Sequence, residues 1–256
     1  MFYEYRGIRV YYEITGEGDS LVLLHGFLES STMWKPLTFE FKHTHQVISI
    51  DLLGHGQTEC LGYIHKMEDM ANMVISLLND LEVQEAKFIG HSMGGYVALA
   101  INHLKPELVA GLCLMNSTFE ADSEEKKQIR QRSIEMAKIN YDNLVRISFS
   151  NLFAPESRTS FKNAYNKALA IALKTPVQGY IAAQAGMQLR SNHEASFLKI
   201  KGPKALVIGK KDSLVDWKNL IKLLKNTPVK ICHLSGGHMS HIEDLCELTY
   251  FLLRFI

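Results

Sequence analysis

Residues 85–104, EAKFIGHSMGGYVALAINHL, decide how the rest of the chain is read. Ala86 to Ile89 has the apolar character of a short buried strand. Gly90-His91-Ser92-Met93-Gly94-Gly95 is a glycine-framed turn, and the Ala- and Leu-rich continuation predicts a helix. The turn fits G-x-S-x-G with Ser92 at its centre, in the strand–turn–helix context that motif requires. A residue on so sharp a turn is held in an unfavourable backbone conformation, and crowding leaves room only for hydrogen at Gly90 and Gly94. The turn therefore exposes the serine oxygen and aims helix-start N–H groups at whatever binds beside it.

Working outward, the same alternation recurs on both sides. Phe2 to Ile14 alternates apolar and polar residues around Gly7 and predicts an antiparallel hairpin. Ser20 to Leu24 is a continuous apolar run, as in a sheet buried on both faces, and stops at His25-Gly26-Phe27. Gln46 to Ile50 is a second such run, ending in Asp51-Leu52-Leu53-Gly54-His55-Gly56. Lys66 to Leu81 carries Met70, Val74, Leu77, Leu78 and Leu81 at helical spacing. Beyond the serine turn, Leu108 to Met115 predicts a strand ending at Asn116-Ser117. Residues 120–197 then change character, with helical patterning rich in Lys, Arg, Glu, Asn and Ala and breaks near Ala154-Pro155 and Thr175-Pro176. Strand–helix alternation resumes with Pro203 to Ile208, a helix over Trp217 to Leu224, Val229 to Leu234, and a final helix running to the C-terminus. The fold expected is α/β, a mostly parallel sheet covered on both sides, with residues 1–119 and 198–256 forming the core domain and 120–197 an inserted helical cap.

In such sheets ligands bind at the carboxyl ends of the strands. His25, Gly26, Asp51, Ser92, Asp212 and His238 all fall there. A serine hydroxyl becomes a good nucleophile when a base takes its proton and a carboxylate orients that base. His238 follows the last strand after Gly236-Gly237, and Asp212 follows the strand before it. Each has a competitor. His241 lies three residues beyond His238, where packing or capping on the last helix would account for it. Asp216 lies four beyond Asp212, where a solvated or helix-start role suffices, and Asp122 stands near Asn116. His238, His241 and Glu243 match no standard zinc spacing, so no metal is expected.

Together these segments resemble the α/β-hydrolase fold superfamily over nearly the whole chain. His25-Gly26-Phe27 is similar to its oxyanion turn, Asp51 to Gly56 to its D-x-x-G-x-G segment, Gly90 to Gly95 to its nucleophile elbow, and Gly237-His238 with Glu243 to its terminal histidine region. The chain order Ser, Asp, His is also that of the family. The resemblance implies Ser92 as nucleophile, His238 as general base and then acid, and Asp212 as the orienting carboxylate. It also implies an oxyanion hole from the backbone N–H groups of Phe27 and Met93, and a cap that shapes the acyl or alcohol pocket.

Composition narrows the partners. The 256 residues are 46% hydrophobic and 21% charged, with a formal net charge of +1, so there is no electrostatic case for nucleic acid or an anionic membrane. The first ten residues lack the apolar core of a signal peptide, and no run is long enough for a membrane span. Cys60, Cys113, Cys232 and Cys246 are scattered, as free thiols of a cytoplasmic protein would be. No dinucleotide fingerprint or P-loop occurs, so no cofactor is expected. A serine at the elbow, in place of the carboxylate of dehalogenases and epoxide hydrolases, directs the expectation to hydrolysis of a small or medium carboxylic ester through an acyl-enzyme. The alternatives are a thioester, lactone or C–C bond hydrolase, a lyase of the menaquinone-pathway type that HGFL and Trp34 resemble, or a ligand sensor that retains the triad.

Overall fold

The computed structural model describes residues 1–256 and contains one eight-stranded sheet, ordered β1-β2-β4-β3-β5-β6-β7-β8. The strands are β1 (Phe2–Tyr5), β2 (Ile8–Thr15), β3 (Asp19–Leu24), β4 (His45–Ile50), β5 (Ala86–His91), β6 (Val109–Met115), β7 (Lys204–Gly209) and β8 (Lys230–Leu234). The expected hairpin is present as β1 and β2, paired antiparallel; β2 also joins β4 antiparallel, and every pairing from β4 through β8 is parallel. Helices α1 (Lys35–Phe41), α2 (Met67–Asp80) and α3 (Met93–Leu104) follow β3, β4 and β5. Between β6 and β7 lie only helices: α4 (Glu124–Ala137), α5 (Tyr141–Ser150), α6 (Ser157–Ser160), α7 (Lys162–Ala172), α8 (Val177–Gln188) and α9 (Glu194–Leu198). The chain ends with α10 (Trp217–Leu223), α11 (Ser240–Glu243) and α12 (Leu245–Leu252).

The continuous apolar runs are buried on both faces, with successive residues alternating between two cores. Val22, Leu24, Ile48, Ile50, Phe88 and Leu114 pack with α2 and α3, while Leu21, Leu23, Val47, Ile89 and Met115 pack with α1 and α12. A third apolar cluster joins Leu28 and Met239, beyond the strand ends, to Val145, Phe149, Phe153, Ala172 and Tyr180 of the segment between β6 and β7.

Two boundaries differ from the sequence expectation. Strand β5 continues through Gly90 to His91, because Ser92 alone makes the turn and Met93 already starts α3. The C-terminal helix is broken at Asp244, whose φ of −136° leaves the helical region. Its carboxylate instead accepts from the Ser235 and Gly236 N–H groups and the Ser235 hydroxyl, tying the end of β8 to the start of α12. The strand order reverses between β3 and β5, so the loops leaving them diverge and open a crevice.

Candidate active site

Ser92 stands at that crevice with φ 48° and ψ −114°, a strained conformation for a residue with a side chain. Its N–H donates to Met115 O at 2.9 Å, anchoring the turn to β6. The flanking glycines are required by contact. A Cβ on Gly90 would lie 2.5 Å from Gly94 O, and one on Gly94 would lie 2.1 Å from Leu24 O.

Three distant segments complete the geometry. The Ser92 hydroxyl donates to His238 Nε2 at 2.9 Å, and His238 Nδ1–H donates to Asp212 Oδ2 at 2.7 Å. The proton belongs on Nδ1 because a carboxylate only accepts, which leaves Nε2 free to accept from serine. Asp212 Oδ1 accepts from the Leu214 and Val215 N–H groups at 2.8 and 3.2 Å. Asn116 Nδ2 reaches Oδ2 at 3.2 Å and Gly237 O at 3.1 Å. Burial favours the neutral acid, but His238, the Leu214 N–H and Asn116 outweigh it and hold the Asp212 carboxyl below its ordinary value.

The competing residues lie elsewhere. Asp216 caps α10 by accepting from Asn219 N–H, and Asp122 is clamped between Arg130 Nε at 2.5 Å and Arg190 Nη1 at 2.6 Å. His241 packs behind the site with Nε2 3.6 Å from Glu29 Oε1, while Glu243 accepts from the N–H groups of Gly237, Met239 and Ala154.

The turn after β3 faces Ser92. Phe27 N–H has no backbone acceptor, and Met93 N–H is the first of the helix-start donors that α3 leaves free. His25 holds this turn from behind: Nδ1–H donates to Gly26 O at 2.8 Å, and Nε2 accepts from Leu52 N–H at 2.9 Å. Asp51 accepts from the Ser31 and Gln57 N–H groups, and His55 pairs with Leu53 O, so both hold loop backbone. The segment between β6 and β7 touches the site directly. His238 N–H donates to Leu152 O at 2.9 Å, and the Phe27 and Tyr180 rings lie 4.9 Å apart. A cavity of about 300 Å³ lies nearby among Leu28, Met33, Phe149, Ala168, Ile171 and Ile242, without Ser92 in its lining.

Sequence reading missed Glu29, whose partner His91 is 62 residues away. An acid inside an apolar turn was the one available signal. Glu29, His91 and His241 bring potential metal-ligand atoms within 4.8 Å of one another. However, Glu29 Oε2 and His91 Nδ1 are 2.6 Å apart, a hydrogen-bond distance and well under the roughly 3.3 Å between two ligands of one tetrahedral zinc.

Comparison with known proteins agrees with this architecture. The family model described as the alpha/beta hydrolase fold matches residues 19–245. A curated relative, the (E)-2-((N-methylformamido)methylene)succinate hydrolase of Acinetobacter baylyi, is 29% identical over 46% of this chain and 45% of its own length. That chain and the next curated relatives are thus matched over less than half their lengths. A putative carbamate hydrolase of Pseudomonas savastanoi pv. phaseolicola is 26% identical over 92% of this chain and 93% of its own. Among solved structures, a thermophilic esterase from Thermogutta terrifontis superposes with a TM-score of 0.91 at 25% identity, covering 96% of this chain and 92% of that one. The enol-lactonase from Burkholderia xenovorans LB400 shares the fold with a TM-score of 0.92 at 20% identity, over 100% and 99% of the two chains. No helix is long and apolar enough to cross a membrane. The chain belongs to the alpha/beta hydrolase fold family.

Proposed function

We propose that this protein is a serine hydrolase that cleaves a small or medium carboxylic ester through an acyl-enzyme. The observation that carries the reading is the continuous chain Ser92 Oγ–His238 Nε2, His238 Nδ1–Asp212 Oδ2, at 2.9 and 2.7 Å. In acylation His238 takes the serine proton as Oγ attacks the ester carbonyl, and Asp212 stabilises the imidazolium that forms. The Phe27 and Met93 N–H groups receive the developing oxyanion; loss of one such donor typically costs about 100 to 1,000-fold in rate. His238 then protonates the leaving alcohol, and a water activated by the same histidine releases the acid. Helices α4–α9 and their connections act as the cap, closing over His238 through Leu152 of the α5–α6 turn and over Phe27 through Tyr180 of α8.

An esterase among the structural relatives supports ester chemistry, while the hydrolases of a succinate derivative and of a carbamate show that family membership leaves the acyl group open. Of the five arginines in residues 120–197, Arg130 and Arg190 are committed to Asp122, which counts against those two as a clamp for an anionic substrate. The test is fluorophosphonate labelling of wild type and Ser92→Ala with the adduct mapped by mass spectrometry, followed by p-nitrophenyl esters, acyl-CoAs and diketones. Adduct at Ser92 alone, with ester turnover lost in a folded Ser92→Ala, is expected. Undiminished turnover in that variant, or diketone cleavage without ester hydrolysis, overturns the reading.

A further inference from the structure

Behind the Ser92–His238 contact lies a second buried pair that the chemistry above does not use. Glu29 and His91 are 5% and 1% exposed. Glu29 Oε2 accepts from Gly26 N–H at 2.7 Å and from His91 Nδ1 at 2.6 Å. The other ring nitrogen of His91, Nε2, faces the main-chain oxygen of His238 at 2.9 Å. The two partners of this ring, a carboxylate and a carbonyl, can only accept. A neutral imidazole carries one N–H, so beside an ionised Glu29 it would leave one of these short contacts as lone pair against lone pair; with the carboxylate charged, the doubly protonated ring satisfies both.

We infer that His91 is a buried imidazolium paired with Glu29, and that this pair is a positioning device holding the oxyanion turn and the main chain of His238 in register with Ser92. Its reach follows from topology. Glu29 belongs to the loop after β3, His91 ends β5 immediately before Ser92, and His238 follows β8, so one ion pair ties together three strand exits. Gly26 sits against it: a Cβ there would lie 2.4 Å from Glu29 Oε2, 2.7 Å from His91 Nδ1 and 3.2 Å from Ser92 Cβ. The turn bearing the Phe27 N–H is thus packed directly on the pair.

The charged and titratable groups around His91 are Glu29, Asp212, His25, His238 and His241. The His238 and His241 rings lie 5.1 and 5.4 Å from the His91 ring. Burial disfavours charge on His91, but the Glu29 carboxylate outweighs it and raises the ring above its ordinary value. Burial likewise disfavours the Glu29 anion, yet His91 holds that carboxyl at about 2. Burial pushes His241 down to about 4 and His25 below its ordinary value, so neither competes as the cation.

The first test is histidine-selective ¹⁵N NMR on the wild type, with His91 assigned by its loss in His91→Gln. The expected result is two protonated ring nitrogens at His91 near pH 7.5. A neutral tautomer there, or a stoichiometric divalent cation found by elemental analysis, overturns the inference, and this measurement needs no substrate. The second test is Glu29→Gln, which preserves shape and an acceptor for Gly26 but removes the charge. It is expected to neutralise His91 and lower kcat for a p-nitrophenyl ester about 10- to 100-fold, with KM within about twofold, because a small misplacement of a reacting group costs on this scale. Glu29→Asp, which keeps the charge, is expected to restore the imidazolium signal and part of kcat. Wild-type kcat in Glu29→Gln overturns the positioning role. The kinetic arm rests on the hydrolase reading; absence of any wild-type turnover would count against that reading and leave the NMR result standing.

Discussion

Replacing Asp212 with Asn tests the active-site reading most directly. Four donors converge on this carboxylate: Leu214 N–H and Val215 N–H on Oδ1, His238 Nδ1–H and Asn116 Nδ2–H on Oδ2. An asparagine can serve only one edge with its oxygen. The two backbone N–H groups cannot rotate away, so the amide oxygen takes their side and its NH₂ faces His238. The histidine can then make a hydrogen bond only by moving its proton to Nε2, where it can no longer accept from Ser92 Oγ. Trapping the base in the wrong tautomer costs about 10⁴ in kcat in a serine protease, or about 5 kcal/mol of transition-state stabilisation, and that is the loss expected here. The fold should survive. The Asn116 donor turned against the new NH₂ costs about 1–3 kcal/mol, a fall of roughly 2–12 °C in Tm for a chain of this size. The assay is kcat and KM on a p-nitrophenyl ester beside thermal unfolding. A loss below tenfold in kcat, in a protein that still melts cooperatively, would refute the assignment of Asp212 as the orienting acid.

Other predictions follow from the same structure. Gly94→Ala drives a methyl group to 2.1 Å from Leu24 O, so backbone must move; a loss of about 1–3 kcal/mol, measured as Tm, is expected, and an unchanged Tm would contradict the packing. Arg190→Met leaves the fully buried Asp122 with Arg130 alone and should cost about 3 kcal/mol in urea unfolding, with part of the loss recovered in the double variant Asp122→Asn/Arg190→Met. In acid, the depressed Glu29 carboxyl contributes stability that is full above the ordinary value of 4.5 and disappears as pH falls toward about 2. The raised His91 contributes stability that is full below its ordinary 6.5 and fades as pH rises through its folded value. Urea midpoints across pH should therefore fall at both ends, and Glu29→Gln should flatten both limbs; a variant that keeps the wild-type profile would exclude this pair as the source.

Much of the architecture was legible because it is written in local patterns. Apolar runs such as Ser20–Leu24 and Leu108–Met115 reveal a sheet buried on both faces, and the glycines around Ser92 announce a crowded turn whatever else the chain does. Positions just after strand ends follow from the same patterns, which is why Ser92, Asp212 and His238 could be singled out. The boundaries that moved were set by contacts from outside the segment. Asp244 broke the last helix to serve Ser235 and Gly236, and the Met115 carbonyl fixed the turn at Ser92.

By itself, then, the sequence determined the α/β alternation, the strained serine turn and the order of the chemical groups, all properties of residues within a few positions of one another. Which groups pair was decided by the tertiary structure alone. His241 and Asp216 differ from His238 and Asp212 only in direction, and a difference of three or four residues becomes one of location once the chain turns. Glu29 and His91 are 62 residues apart and belong to separate motifs. Each reads locally as an unremarkable turn or strand-end residue. Only the parallel pairing of β3 with β5 brings them together in the buried interior, where a carboxylate and an imidazole must answer each other's charge.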